Sequence, residues 1–322
     1  MELKSLLTEL KFIVYDMLVE NKVRIITQSV RFEEDRKLAY ILRNVHSIEK
    51  GLSLDKPRKG FGIEKINELM DCLNEYYSKD GDFSRPHVLM AVDAISEYLA
   101  YHDGIGYSNA KIDTIRENYY ELLKKVPKHD IKYGGTITID KNRVTDVEKE
   151  YVEHFLKNRH SVRQFSGERV PLEDVKKAVE LAYRAPSACN RQATRVYIVP
   201  SNKKEILADW VEGVGGFQNE VDTFIMITGK RSYYYQSEHF QYIVTASILT
   251  GYLALTLELY DIGSCVLQRP VAYSKKWNNL QKVMGIPEDE QIVAFLGCGM
   301  LRENYKVPVS NRLPFEEIGR II

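Results

Sequence analysis

The first third of the chain repeats one texture. Apolar residues return every three or four positions: Leu3, Leu6, Leu7, Leu10, Met17 and Leu18, then Leu38, Ile41, Leu42, Val45 and Ile48. Val88, Val92, Ile95 and Leu99 make a third set, and Ile112, Ile115, Tyr119 and Leu122 a fourth. That period places each set on one face of a helix. A further helix is expected over 63–77. The stretches "SKDGDFSRP" (78–86) and "YHDGIGYSN" (101–109) are turn-rich breaks. Residues 1 to about 130 therefore read as helices without a convincing strand, with stripes enough for a core of their own.

Past the Gly- and Thr-bearing connector "KYGGTITIDKNR" (132–143) the pattern changes. Thr145 and Glu148 are spaced as a capping box, opening a helix to about Lys157. A helix over 172–183, a β-like run "RVYIV" (195–199), a helix near 202–211 and a second run "FIMIT" (224–228) follow. A long helix near 238–260, a run "SCVLQ" (264–268), a helix near 274–284 and a run "IVAFLGCGML" (292–301) complete the series. Strands mixed with helices in this way indicate an α+β or α/β layered domain. The expected division is a helical N-terminal domain over 1–140 and a mixed domain over 141–322.

Charge narrows the function. Lys+Arg and Asp+Glu are 45 each, which argues against a dedicated nucleic-acid binder. Cys72, Cys189, Cys265 and Cys298 are scattered, so neither a disulfide framework nor a structural zinc site is expected, and a reducing cytoplasm fits. The N-terminus lacks the basic start, apolar block and cleavage site of a signal peptide. The uncharged run "FQYIVTASILTGYLALTL" (240–257) touches the lower length of a membrane span. Its Gln, Thr and Ser residues, and Glu258 at its end, instead suggest a helix buried on nearly all sides.

Four stretches of the second half could carry chemistry. In "RHSVRQF" (159–165), Arg159 offers a planar fork suited to phosphate and Ser161 a hydroxyl. Arg163 points the same way if the segment is extended. In "RAPSACNRQ" (184–192), Ser187, Asn190 and Gln192 suit the polar edge of a planar heterocycle. In "DIGSCVLQRP" (261–270), Gly263 and Ser264 let the backbone approach something closely. Arg312 is an isolated cation near the C-terminus. Alone, each also fits a plain structural role: a solvated helix end, a helix-terminating loop, a helix-to-strand turn, a lone surface arginine.

Together, their order and spacing resemble the nitroreductase-like family of FMN-dependent oxidoreductases. The resemblance rests on Arg159-His160-Ser161-Val162-Arg163, Ala185-Pro186-Ser187-Ala188-Cys189-Asn190-Arg191-Gln192, Gly263-Ser264 and Arg312, and covers about 148–322. It implies an α+β domain with a mixed sheet and flanking helices, and FMN as cofactor. NADH or NADPH would donate hydride to flavin N5, and the electrons would pass to a small-molecule acceptor. Arg159, Ser161 and Arg312 would hold the FMN phosphate, and Arg163 would sit at the flavin N1/O2 edge. Pro186, Ser187 and Asn190 would come from the second subunit of a homodimer. The backbone from Leu267 through Gln268 to Arg269 would face N5. His160 and Gln192, inside the same motifs, join the cofactor-binding set. No metal and no side-chain nucleophile is implied.

The chain also departs from that pattern. No acid stands in "IVTAS" (243–247), where the family usually has Asp, and "VLQRP" (266–270) lacks the usual glycine. A flavin-binding protein without turnover is one alternative; dehalogenation or flavin breakdown on the same fold are others. In the N-terminal half, His46, Glu49 and Lys50 are spaced to share a helix face, with Arg58 and Gly60-Phe61-Gly62 following. "HSIEKGL" and "RKGFG" resemble an extension of some nitroreductase-like proteins, a few linked to polysaccharide biosynthesis. This segment is either a helix end capped by Gly51 or a cover that shapes the substrate pocket.

Overall fold

The computed structural model describes residues 25–140, 145–208, 211, 213–268 and 275–322, with Leu10, Val14, Met17 and Asn21. Leu3, Leu6, Leu7 and Leu18 of the first stripe lie outside the described residues. Among the described residues the N-terminal half holds α1 (Glu33–Leu52), α2 (Ile63–Ser78), α3 (Pro86–Gly104) and α4 (Ala110–Leu123). α1, α3 and α4 carry the second, third and fourth expected stripes inward, and α2 is the further helix expected over 63–77. Proline at the first turn of α3 costs no hydrogen bond there, and the Asn109 side chain accepts from the Ile112 N–H to cap α4.

The second half opens with α5 (Asp146–Asn158), whose start is the expected capping box between Thr145 and Glu148. α6 (Leu172–Ala182), β1 (Thr194–Val199), a short α7 (Glu205–Ala208) and β2 (Thr223–Lys230) follow. Then come α8 (Gln241–Glu258), β3 (Ile262–Gln268), α9 (Lys275–Met284), β4 (Glu290–Met300) and α10 (Phe315–Ile318). Where a helix was expected near 202–211, a 3₁₀ turn at Ser201–Lys203 precedes α7, and residues 209 and 210 lie outside the described residues.

The strands form one sheet in the order β1-β2-β4-β3, so the domain is α+β. A mixed sheet was expected, yet all three described pairings are antiparallel. β2 and β3 both run antiparallel to β4 and hence parallel to each other. The crossover through α8 leaves a gap between them, and β4 fills it. Every residue of β2 is buried, because both faces of the sheet are covered, which is why "FIMIT" reads as unbroken apolar sequence. Ile225 and Ile227 pack under α6 and α8, while Phe224 and Met226 face Val162, Phe165 and Phe217.

α8 is not buried on nearly all sides. One face lies on the sheet, whereas Ile243, Val244, Ile248 and Tyr252 on the other are 36–49% exposed. Its freedom from charge reflects two apolar faces, of which this chain covers one. No helix among the described residues is long and apolar enough to cross a membrane.

The helical half does not keep its core to itself. Ala193, Tyr233, Tyr234 and Tyr242 belong to the same buried cluster as Ile41, Leu69 and Ile95. An ion pair crosses the junction: the Lys230 ammonium on β2 lies 3.0 Å from Asp35 on α1 and 3.5 Å from the fully buried Asp289. Burial pushes the Asp289 carboxyl up, against the pull of Ser232 and Lys230. His87 on α3 sits at the same junction. Burial, then Arg85 and Arg195, lowers its pKa to about 4.

Gly51 is not a cap. α1 continues through Leu52, and the side of Gly51 faces Phe61, which an added Cβ would meet at 2.1 Å. The Gly60-Phe61-Gly62 loop folds back onto the helices. His102 accepts from the Gly60 N–H at 3.0 Å, the Tyr98 hydroxyl donates to the Phe61 carbonyl at 2.7 Å, and Phe61 meets the Tyr98 ring edge-on.

Candidate functional site

The segment after α5 is extended and runs from β3, near its start, to the end of β4. The Val162 N–H donates to Ser264 O at 3.0 Å, Ser166 N–H donates to Met300 O at 2.9 Å, and Phe165 bridges to Leu301. Two glycines make this close fit possible. A Cβ on Gly263 would stand 3.1 Å from Val162, and one on Gly299 2.4 Å from the Phe165 ring. What Gly263 admits is therefore the chain's own Leu301, which that Cβ would meet at 2.7 Å, together with Val162.

Because that segment is extended, alternate side chains share a side. Burial raises the pKa of the Cys265 thiol, and Arg163, Ser161 and Arg159 all act against that rise. The Val162–Ser264 hydrogen bond sets this stretch of the motif beside β3. Cys265 itself is marked in the sequence only as an isolated cysteine. Arg159 ends α5 as its C-cap, and Arg163 is exposed beside Phe217, 5.9 Å from the ring centre.

Arg312 joins them from the far end of the chain. A cavity of about 410 Å³ is lined by Arg159, His160 and Arg312, with Lys157, Ser310 and Asn311 beside them. Glu153 and Leu156 form its α5 wall. Two guanidinium forks facing one cavity make a donor set for a phosphate dianion, while Lys157 is paired with Glu153 at 3.2 Å. Glu258, at the end of α8, tempers the charge. Burial raises its pKa, and Arg159 and His160 work against that rise. Its only signal in the sequence is that it closes the uncharged run.

Leu267 is buried in β3 on the Cys265 side of the sheet. Gln268 ends the strand, and Arg269 lies outside the described residues.

The 184–192 loop is built differently. Cys189, Asn190 and Gln192 all have φ near 50°, a conformation costly for residues other than glycine. Arg191 holds it there. Its guanidinium is buried, pairs with both Glu238 oxygens at 2.6 and 2.8 Å, donates to the Tyr233 and Ala188 carbonyls, and lies over the Tyr234 ring. The Ser187 hydroxyl accepts from the Gln192 N–H at 3.1 Å. Pro186 and Asn190 remain exposed. Within its motif Arg191 looks like a spacer, so its role as the pin is not legible locally.

The two loops stand far apart. The 184–192 loop enters β1 at Thr194, which pairs with Gly229, and Gly229 pairs with Gln291 on β4. Val162 sits at Ser264, which pairs with Cys298 on β4. Seven residues along β4 and three strand spacings separate them, roughly 25–30 Å. The loops occupy opposite corners of the sheet.

The N-terminal candidates form a third place. His46 Nδ1 lies 3.8 Å from Glu49, as the helical spacing anticipates. Glu49 also accepts from the Gly135 N–H in the connector at 3.1 Å, and burial raises its pKa. Lys50 and Arg58 are exposed. None of the four lines the cavity of Arg159 and Arg312.

Residues 156–220 match the model of the nitroreductase family. No curated protein sequence is significantly similar to the chain. Among solved structures, the chain is similar to a nitroreductase family protein of Streptococcus pneumoniae TIGR4 at 21% identity and a TM-score of 0.45, over 53% of this chain and all of that one. It is similar to a nitroreductase-like protein of Streptococcus mutans at 18% identity and a TM-score of 0.46, over 54% and 99%. An FMN-dependent nitroreductase of Clostridium difficile R20291 aligns at 23% identity and a TM-score of 0.42, over 51% and 95%.

Proposed function

We propose that this chain, whose residues 156–220 match the model of the nitroreductase family, is an FMN-dependent oxidoreductase that works as a homodimer. The observation that carries this reading is the shared cavity of Arg159 and Arg312, with the motif hydrogen-bonded to β3 through Val162 and Ser264. In this reading Arg159, His160, Ser161 and Arg312 hold the FMN phosphate, and Arg163 places positive charge beside the ring. Bound FMN would accept hydride from NADH or NADPH and pass electrons to a small acceptor such as a nitroaromatic or quinone. The β3 backbone at Leu267 and Gln268 would face the N5 edge of the ring.

The second subunit follows from distance and from uncovered surface. Pro186, Ser187, Asn190 and Gln192 are at the opposite corner of the sheet, so one chain does not bring both loops to one ligand. α5 has no buried residue, although Val147, Tyr151 and Leu156 are apolar and 52–73% exposed. The outer face of α8 and the C-terminal Val309, Leu313 and Phe315 are similarly bare. A second copy packed on these surfaces would bring its 184–192 loop to the first copy's cavity. The proposed site leaves out His46, Glu49, Lys50 and Arg58.

The test is cofactor affinity. The purified protein should be yellow with FMN rather than FAD. Arg159→Ala removes hydrogen bonds to a charged phosphate, a loss of about 1.5–3 kcal/mol. Titration followed by flavin fluorescence should then read a ten- to hundredfold weaker Kd. An unchanged Kd would reduce Arg159 to a helix-end charge.

A further inference from the structure

A second cavity, of about 610 Å³, opens between α1 and the 232–237 segment. Arg36, Tyr40 and Arg43 reach it from α1, and Arg191, Tyr233 and Tyr235 are prominent on the facing wall. Three arginines line it and no carboxylate does. Its volume suits a small organic ligand.

The two walls are fixed to each other and to the sheet. Asp35 ties α1 to Lys230 at 3.0 Å. Arg191 holds Glu238, and Glu238 in turn accepts from the Tyr235 N–H at 2.8 Å, which sets the Tyr235 segment. The arginines are not equally committed. Arg191 spends its donors on Glu238 and on the Ala188 and Tyr233 carbonyls. Arg36 donates through one nitrogen to the Thr27 and Ser29 carbonyls.

Arg43 has no hydrogen-bond or salt-bridge partner among the described residues. It is flanked by aromatic rings, 4.7 Å from the centre of Tyr40 and 4.3 Å from that of Tyr235. Ring contacts leave the edge N–H groups of a guanidinium available to an anion. Glu68 feels the Arg43 charge, but its carboxylate already takes the Tyr40 hydroxyl at 2.8 Å and the Lys65 ammonium at 2.9 Å.

We propose that this cleft is a binding site for a nucleotide, with Arg43 and Arg36 taking its phosphate groups and the tyrosine walls its planar base. Cation and flat aromatic surface in one rigid cleft match a ligand that carries both features. The site is separate from the cavity of Arg159 and Arg312 and does not depend on flavin binding. Its wall includes Arg191, so its occupant lies against the pin of the 184–192 loop.

The test is calorimetric titration of the full chain, with FMN added to saturation, using ADP, adenosine and inorganic phosphate as probes. ADP should bind saturably and at least about tenfold more tightly than adenosine. Arg43→Gln should weaken ADP about tenfold or more, and Tyr235→Ala should weaken ADP and adenosine alike, by about fivefold or more. Both positions are at the surface, and an unchanged circular dichroism spectrum verifies the fold. Absence of saturable ADP binding, ADP no tighter than adenosine, or ADP affinity unchanged in Arg43→Gln overturns the proposal. One further arm identifies the source of the nucleotide and rests on the oxidoreductase reading. A raised KM for NADH or NADPH in Arg43→Gln, at constant kcat, assigns the cleft to the hydride donor. An unchanged KM with lost ADP affinity assigns it to a free nucleotide.

Discussion

Lys230→Met is expected to destabilise the protein by about 3–5 kcal/mol, because it removes a cation that lies 3.5 Å from a fully buried carboxylate. Burial disfavours the Lys230 charge, and Asp289 and Asp35 together outweigh it, holding the ammonium pKa above its ordinary value. Methionine keeps the length of the stem and loses the charge. Asp289 is then left with the Ser232 hydroxyl alone, its other oxygen being without a partner already. The loss should appear in urea unfolding as a lower midpoint at constant slope. Adding Asp289→Asn to Lys230→Met should recover part of it, since the fully buried side chain at 289 then carries no charge. A single variant within about 1 kcal/mol of the parent would mean that the pair behaves like a solvated surface contact.

His87 should make stability fall as the solution becomes mildly acidic. Its folded pKa is lowered from 6.5 to about 4, by burial first and then by Arg85 and Arg195. The unfolded chain takes up the proton below pH 6.5 while the folded chain resists, so the stability His87 contributes is present above that pH. It is lost progressively as pH falls toward 4. Between pH 7.5 and 4.5 the difference amounts to about 2–3 kcal/mol. His87→Gln should remove this part of the pH dependence and leave the contributions of other groups in place. Parallel stability–pH curves for parent and variant would show that the imidazole reaches water in the folded state.

How much of this the amino-acid order reveals depends on how local the cause is. Thr145 and Glu148 are three residues apart, and the capping box they announce is present with both hydrogen bonds. The helical stripes from Leu38 onward and the four strand runs are equally local, and their boundaries fall within a few residues of those expected. Arg159, Ser161 and Arg163 were legible because alternation in an extended segment fixes their common side. The meeting of Arg159 with Arg312 was anticipated through resemblance alone, since 153 positions separate them. Lys230 and Asp289 were not seen at all. Each sits in an unremarkable local context, and only the pairing of β2 with β4 brings them together. The outer face of α8 misled for the opposite reason. Periodicity reports that a face is apolar but not which molecule covers it.

The diagonal separation of the two loops has a genetic consequence. If a site takes its phosphate-binding arginine from one chain and its 184–192 loop from the other, lesions in the two segments can compensate when different chains carry them. In a mixed dimer of Arg159→Ala and Asn190→Ala chains, one site inherits both defects and its twin inherits neither. Random pairing of equal amounts makes half the dimers mixed, so about a quarter of all sites are intact. Two alleles that are each inactive alone would then restore roughly that fraction of activity when co-expressed. Two lesions in the same segment would restore none, and the same would hold for every pair if the site were built within a single chain.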